Sequence, residues 1–212
     1  MTIENIKVEQ ESESESESKS KKKIYFITGN AHKFSEISDL FQRHLPEYDL
    51  LQLKEDLLEI QAGSLEEVAE FKLKNVRAKP DHPYFIEDAG FFVDSLKGFP
   101  GVYSAYVFKA IGFDGILKIM SDRVSAKERR SHFKSVIAFM DPTKGLKLFV
   151  GKVEGMVSES AKGTNGFGFD PIFVPDEIPE KTFAELSRKE KNQISHRSRS
   201  FQQFIEYLSN ES

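Results

Sequence analysis

Apolar residues change period several times along this chain, and each change marks an element. Ile24-Tyr25-Phe26-Ile27 is a short apolar run closed by Thr28-Gly29-Asn30, which predicts a buried strand running into a turn. Phe34, Ile37, Leu40 and Phe41 then recur at helical spacing, and Tyr48–Leu53 reads as a second strand. Ser64-Leu65-Glu66-Glu67 has the form of a capping box. Leu65, Val68, Ala69, Leu73 and Val76 continue it as one helical face that stops before Pro80. Tyr84-Phe85-Ile86 predicts a third strand, delivered straight into Glu87-Asp88-Ala89-Gly90. Lys97-Gly98-Phe99-Pro100-Gly101 must turn, and helical pieces follow around Tyr103–Lys109 and Phe113–Met120.

In the second half, Phe133–Met140 and Leu146–Val157 read as two longer strands joined by a hairpin at Asp141-Pro142-Thr143-Lys144-Gly145. Ile172-Phe173-Val174 follows the Gly-rich loop 163–168 as a short strand. Ser187 with Glu190 forms a second capping-box pattern. It opens a closing helix whose buried side carries Ile194, Phe201, Phe204, Ile205 and Leu208. Strand–helix alternation followed by a hairpin predicts an α/β fold with a mixed sheet. Residues 1–21 are different material: the Glu-Ser repeat and its Lys run have almost nothing to bury, so a disordered charged tail precedes a domain at 22–212.

Composition narrows the classes of function. No cysteine is present, which removes disulfides, thiolate metal sites and a Cys nucleophile. A metal would need oxygen or imidazole ligands, and carboxylates favour magnesium, calcium or manganese. A net charge of −4 argues against a general nucleic-acid binder. No apolar run reaches the roughly 20 residues of a membrane span, and the N-terminus carries no hydrophobic signal core, so a cytoplasmic protein is expected.

Four stretches carry candidate chemistry. Thr28-Gly29-Asn30-Ala31-His32-Lys33 lies where a strand turns into a helix, whose free N–H groups attract anions; Lys33 adds a charge. The alternative is an ordinary Gly-Asn turn with a surface lysine. Glu87-Asp88 follows an apolar run and is costly to desolvate without a cation or a catalytic task; solvated loop acids are the plainer reading. Glu59, on the loop before the capped helix, is a further acid that could join them around Mg²⁺. The stretch 163–171 combines glycines with Phe167, Phe169 and Asp170, a loop that could stack and read a base or simply cap the core. Lys191, His196 and Arg197 fall within seven positions at the start of the closing helix and suit a polyphosphate, or an ordinary solvated face. His32, His44, His82 and His132 show no metal-ligand spacing and are assigned to surface or packing.

Taken together and in order, five motifs carry a family resemblance. They are Thr28-Gly29-Asn30-x-x-Lys33, Glu87-Asp88-x-Gly90, Gly98-x-Pro100-Gly101-Val102-Tyr103-Ser104-Ala105, Phe167-Gly168-Phe169-Asp170-Pro171 and Glu190-Lys191-Asn192-x-x-Ser195-His196-Arg197. Across residues 22–209 the chain resembles the inosine triphosphate pyrophosphatase family, with wording closest to archaeal members. The resemblance implies an elongated α/β fold with a long mixed sheet and flanking helices, two lobes around a nucleotide cleft, and a homodimer. It implies Mg²⁺-dependent hydrolysis of non-canonical purine nucleoside triphosphates (ITP, dITP, XTP) to the monophosphate and pyrophosphate, cleansing the nucleotide pool.

Carried onto this chain, the resemblance makes Thr28, Gly29, Asn30 and Lys33 the triphosphate cradle, with Lys72 reaching the substrate. Glu59 and Asp88 hold the metal, Glu87 is a supporting ligand, and Asp88 is the general base. Phe167 and Phe169 flank the purine beside Gly168 and Asp170, while Lys191, His196 and Arg197 close over base and phosphates, Arg197 or His196 donating to O6. Ala89 stands where relatives usually have Ser or Thr, so a side-chain hydroxyl contact to substrate or metal water is lost and only the backbone N–H remains. A pyrophosphatase for dTTP, UTP or modified bases and a non-catalytic nucleotide sensor are the competing readings.

Overall fold

The computed structural model describes residues 21–210, so the charged tail expected at 1–21 lies outside the described residues apart from Lys21. The elements are β1 (Lys22–Ile27), α1 (Ala31–His44), β2 (Tyr48–Leu53), α2 (Leu65–Lys74), β3 (Tyr84–Val93), β4 (Pro100–Gly101), α3 (Ser104–Ile119), β5 (Arg130–Asp141), β6 (Gly145–Val157), β7 (Phe173–Pro175), α4 (Arg188–Ile194) and α5 (His196–Asn210). The seven strands form one mixed sheet ordered β2-β1-β3-β5-β6-β7, with β4 paired to β3. β1 runs parallel to β2 and β3, and the remaining pairings are antiparallel.

The predicted elements form for the reasons the pattern gives. Asn30 caps α1, its Oδ1 accepting from the Lys33 N–H, and Ile37, Leu40 and Phe41 are the buried stripe. Ser64 caps α2 in the same way through the Glu67 N–H. The abundant phenylalanines do the work of large core residues. Phe26, Phe41, Phe85, Phe139 and Phe204 pack in one cluster between the sheet and helices α1 and α5, with Phe26 and Phe85 stacked at 4.6 Å. α5 crosses β6 so closely that a Cβ at Gly151 would lie 2.1 Å from the His196 carbonyl oxygen, so the sequence needs glycine there. The two helical pieces expected near 103–120 join as α3, bent at Gly112, whose φ of 66° lies in the left-handed region.

Two elements differ from the pattern, and both differences shape the site. β3 does not end at Ile86 but continues to Val93, because β5 supplies an unbroken ladder from Tyr84↔Met140 to Val93↔Ser131. β1 pairs with β3 only at Tyr25↔Tyr84 and Phe26↔Phe85, so beyond Phe85 the two parallel strands part and the β1 side of β3 faces a fork. Glu87, Asp88 and Ala89 line that fork. The closing helix is broken at Ser195, whose ψ of 156° is extended. Its hydroxyl then caps α5 by accepting from the Ser198 N–H. His196 and Arg197 therefore begin a new helix rather than lying inside a long one.

Candidate active site

The turn after β1 brings the first anion-binding candidate to the fork. The Asn30 N–H donates to Thr28 Oγ1 at 3.1 Å, fixing the turn, and Gly29 and Asn30 are exposed. Ala31 and His32 start α1, whose first N–H groups have no partner within the helix. Lys33 extends into the fork, where its ammonium donates to the Glu87 carbonyl at 2.9 Å and pairs with Glu87 Oε2 at 2.8 Å.

Successive strand residues face opposite sides of a sheet, so the adjacent acids part company. Asp88 faces α2, and Lys72 of that helix donates to Asp88 Oδ1 at 2.7 Å and to Glu59 Oε1 at 2.8 Å. One ammonium thus joins the two carboxylates predicted to bind metal. Asp88 Oδ2 is buried without a hydrogen-bond partner, while the Glu59 side chain is 71% exposed. The hydrogen bond from Lys72, stronger here than burial, lowers the Glu59 pKa, with the charges of Lys33 and Lys109 adding to it. Among the described residues no three His, Cys, Asp or Glu side chains gather around one point.

Glu87, expected as a supporting metal ligand, takes the other face and is engaged there by cations of the protein. Its side chain is fully buried, accepts from Ser135 Oγ at 2.7 Å and pairs with Arg197 Nε at 3.2 Å as well as with Lys33. Burial opposes its charge, but the Arg197 and Lys33 cations and hydrogen bonds from Lys33 and Ser135 outweigh it and hold the carboxyl far below the usual range. Ala89 shares this face, opposite Ser135 in the ladder. A side chain at this position therefore sits on the Glu87 side of the strand.

From Glu87 a chain of buried charges runs to the Phe167 loop. Arg197 donates to Glu36 Oε2 at 2.5 Å, and Glu36 Oε1 lies 3.4 Å from Lys191, whose ammonium donates to Asp170 Oδ2 at 2.7 Å. Lys33, Arg197 and Lys191 are thus matched by Glu87, Glu36 and Asp170. Lys191, His196 and Arg197 are 5%, 3% and 2% exposed, so the cluster is no solvated basic face. Burial raises the Glu36 pKa less than Arg197 and Lys191 lower it, and the carboxyl stays charged. For Asp170 burial prevails over Lys191 and the pKa is raised. Glu36 escaped the sequence reading. The available signal was an acid beside Ile37 on the buried stripe, three residues after Lys33.

The Gly-rich loop separates its two rings. Phe169 is 3% exposed and packs against Phe91 at 5.2 Å and Phe108 at 5.4 Å; it belongs to the core and does not flank a cleft. Asp170 is likewise buried. Its Oδ2 accepts from the Phe167 N–H at 2.8 Å, pinning the turn that Gly166 and Gly168, both with positive φ, allow. Phe167 is the ring left half-exposed. The Lys191 ammonium and the Arg197 guanidinium lie 5.1 and 5.5 Å from its centroid, and the imidazole of His32 stacks on it at 5.4 Å. A cleft of about 360 Å³ opens here, lined among others by His32, Glu36, Asn165, Phe167, Arg188 and Lys191. His32, assigned from sequence to surface or packing, is part of its wall.

His196 stacks on Phe133 at 4.7 Å and is not among the residues lining the cleft. Burial, with the Arg197 charge second, holds its pKa well below the ordinary 6.5, so the folded ring is neutral. The unfolded chain protonates this histidine near pH 6.5 and the folded chain does not. Its contribution is therefore complete above pH 6.5 and is lost as the pH falls below it, with a limiting slope of about 1.4 kcal/mol per pH unit. His196→Phe, which keeps a ring on Phe133, is expected to flatten this part of the stability curve between pH 6.5 and 5.5. Urea unfolding at both values reads the difference, and equal slopes in the two proteins would contradict it.

The fold is a mixed α/β sheet whose parallel strands part around clustered acids and cations, with an aromatic-walled cleft alongside. The chain matches the Ham1 family over residues 24–207 and belongs to it. It is 46% identical over 186 residues to the dITP/XTP pyrophosphatase of Thermococcus kodakarensis, covering 88% of this chain and 97% of that one. The dITP/XTP pyrophosphatase of Pyrococcus horikoshii is also 46% identical, with 88% and 96% covered. Among solved structures, the Ham1 protein of Staphylococcus aureus superposes with a TM-score of 0.77 at 29% identity, covering 90% of this chain and all of that one. The family and fold drawn from the five motifs are borne out.

Proposed function

We propose that this protein is a nucleoside triphosphate pyrophosphatase that hydrolyses dITP, XTP and ITP to the monophosphate and pyrophosphate, acting in the cytoplasm as a homodimer. Identity to the curated dITP/XTP pyrophosphatases over nearly their whole length supports the activity. The single observation that carries the chemistry is the Lys72 bridge between Glu59 and Asp88, which gathers two carboxylates and a cation at the fork.

Water attack on the α-phosphorus needs a proton acceptor and stabilisation of the charge that develops. Asp88 Oδ2, buried and without a partner, is the acceptor in this reading. Lys72 keeps Asp88 oriented through Oδ1, and Lys33 with the free N–H groups of α1 receives the phosphates. The exposed Glu59 carboxylate beside Asp88 suits a hard dication that takes few protein oxygens and fills its shell with water and phosphate. Glu59 and Asp88 would hold Mg²⁺, which when bound neutralises phosphate charge and polarises the bond to be broken.

The base reads against the Phe167 wall. A 6-keto purine offers an acceptor at O6 to a cationic surface, whereas the 6-amino group of ATP meets donors with donors. One such mismatch costs about 1–3 kcal/mol. Lys191, which lines the cleft, takes this part in preference to Arg197 and His196, which do not. Incubation of the protein with dITP and Mg²⁺ followed by phosphorus NMR tests the reading: dIMP and pyrophosphate in equal amounts are expected, abolished by chelation. Formation of dIDP and orthophosphate would contradict it.

A further inference from the structure

We propose that His32 and Phe167 are the two walls of a slot that takes the purine, which makes His32 a base-stacking residue; the proposal rests on the nucleotide-hydrolysing reading above. The two rings already stack, with centroids 5.4 Å apart and planes inclined by 23°. Both line the same cleft. The walls are built differently. Phe167 is fixed: its N–H is held by Asp170, and the buried cations Lys191 and Arg197 lie against its ring from the protein side. His32 is exposed on the first turn of α1, and among the described residues its imidazole makes no hydrogen bond or ion pair.

Stacked rings are favourable at centroid separations of about 4.5–7 Å. A gap of 5.4 Å is filled by the pair itself and admits a base only if one wall moves. Phe167 has contacts that resist movement, whereas an exposed side chain changes rotamer within nanoseconds. His32 therefore swings out, and the base enters between imidazole and phenyl ring. This position also suits the rest of the site. His32 immediately precedes Lys33, so a base in the slot leaves its phosphates directed along the first turn of α1 toward the fork with Glu59 and Asp88. Lys191, beside the inner wall, remains in reach of the base edge.

Stacking does not depend on the pattern of donors and acceptors around the base. The slot therefore sets affinity while the Lys191 edge sets preference, and the two separate experimentally. His32→Ala is expected to raise KM for dITP and for XTP by the same factor, about tenfold, with kcat within twofold of wild type. His32→Phe, which restores a flat ring, is expected to return KM to within about twofold of wild type. Thermal unfolding of both variants should match wild type because the side chain is exposed. If wild-type protein turns over dITP and His32→Ala shows an unchanged or lower KM, the slot is overturned and the pyrophosphatase reading stands. A KM raised for only one of the two bases overturns it too. If wild type releases pyrophosphate from none of the nucleotides, the reading itself has failed and the slot with it.

Discussion

Asp88→Asn is expected to lower kcat for dITP by about 100- to 10,000-fold, the range that general-base catalysis supplies. The substitution keeps the shape of the side chain and leaves one oxygen to accept from Lys72, but it removes the basicity of the orphaned Oδ2. Calorimetric binding of dITP should weaken far less than turnover, because Lys33, Lys72 and the turn at Thr28–Asn30 are untouched. The bridge also makes a second expectation available within the same measurement. Lys72 stays buried with one formal anion fewer, so a modest fall in stability accompanies the loss of turnover. Turnover at the wild-type rate with normal binding would remove Asp88 from the role of base.

The largest structural effect is expected at Arg197. Its guanidinium lies between Glu36 and Glu87, both buried and both ionised, and removing it by Arg197→Met takes one cation from each, leaving Glu36 only Lys191 at 3.4 Å and Glu87 only Lys33. Breaking a buried ion pair from one side costs about 3–5 kcal/mol, which for a chain of this length lowers the melting temperature by roughly 10 °C. Combining it with Glu36→Gln should recover part of the loss, since the double variant no longer buries a Glu36 charge that has lost its shorter ion pair. Melting curves of the three variants test this. Additive losses in the double variant would mean that Arg197 and Glu36 do not act as a pair.

The sequence pattern carried the element order and most boundaries because those follow from local rules: the caps at Asn30 and Ser64, the apolar stripes of α1 and α2, the hairpin at 141–145. It failed where a distant partner decides. Glu-Asp-Ala-Gly is poor strand material, yet β3 runs through it because β5 offers a complete ladder, and tertiary pairing overrides propensity. Phe167 and Phe169 look alike in sequence. Only the two positive-φ glycines and the Asp170 contact decide that one ring faces the cleft and the other the core. The partner of Arg197 lies 161 residues away on α1, and no local pattern announces it. The motifs identified the family correctly, but they could not distinguish residues that touch a ligand from residues that hold those residues in place. The buried chain of charges that links Asp170, Glu87 and Arg197 is visible only in the fold.

That chain also fixes the charges in place, because Lys33, Lys191 and Arg197 are each held by a buried acid. Preorganised charge of this kind needs no rearrangement as the reaction proceeds.

The most direct measurement is the release of pyrophosphate by the purified protein from dITP, XTP, ITP, GTP, ATP and dTTP, each with Mg²⁺. Rapid release from dITP, XTP and ITP, with turnover of ATP lower by at least tenfold, is the predicted result. Release from none of them, or equal release from ATP and dITP, would contradict the account.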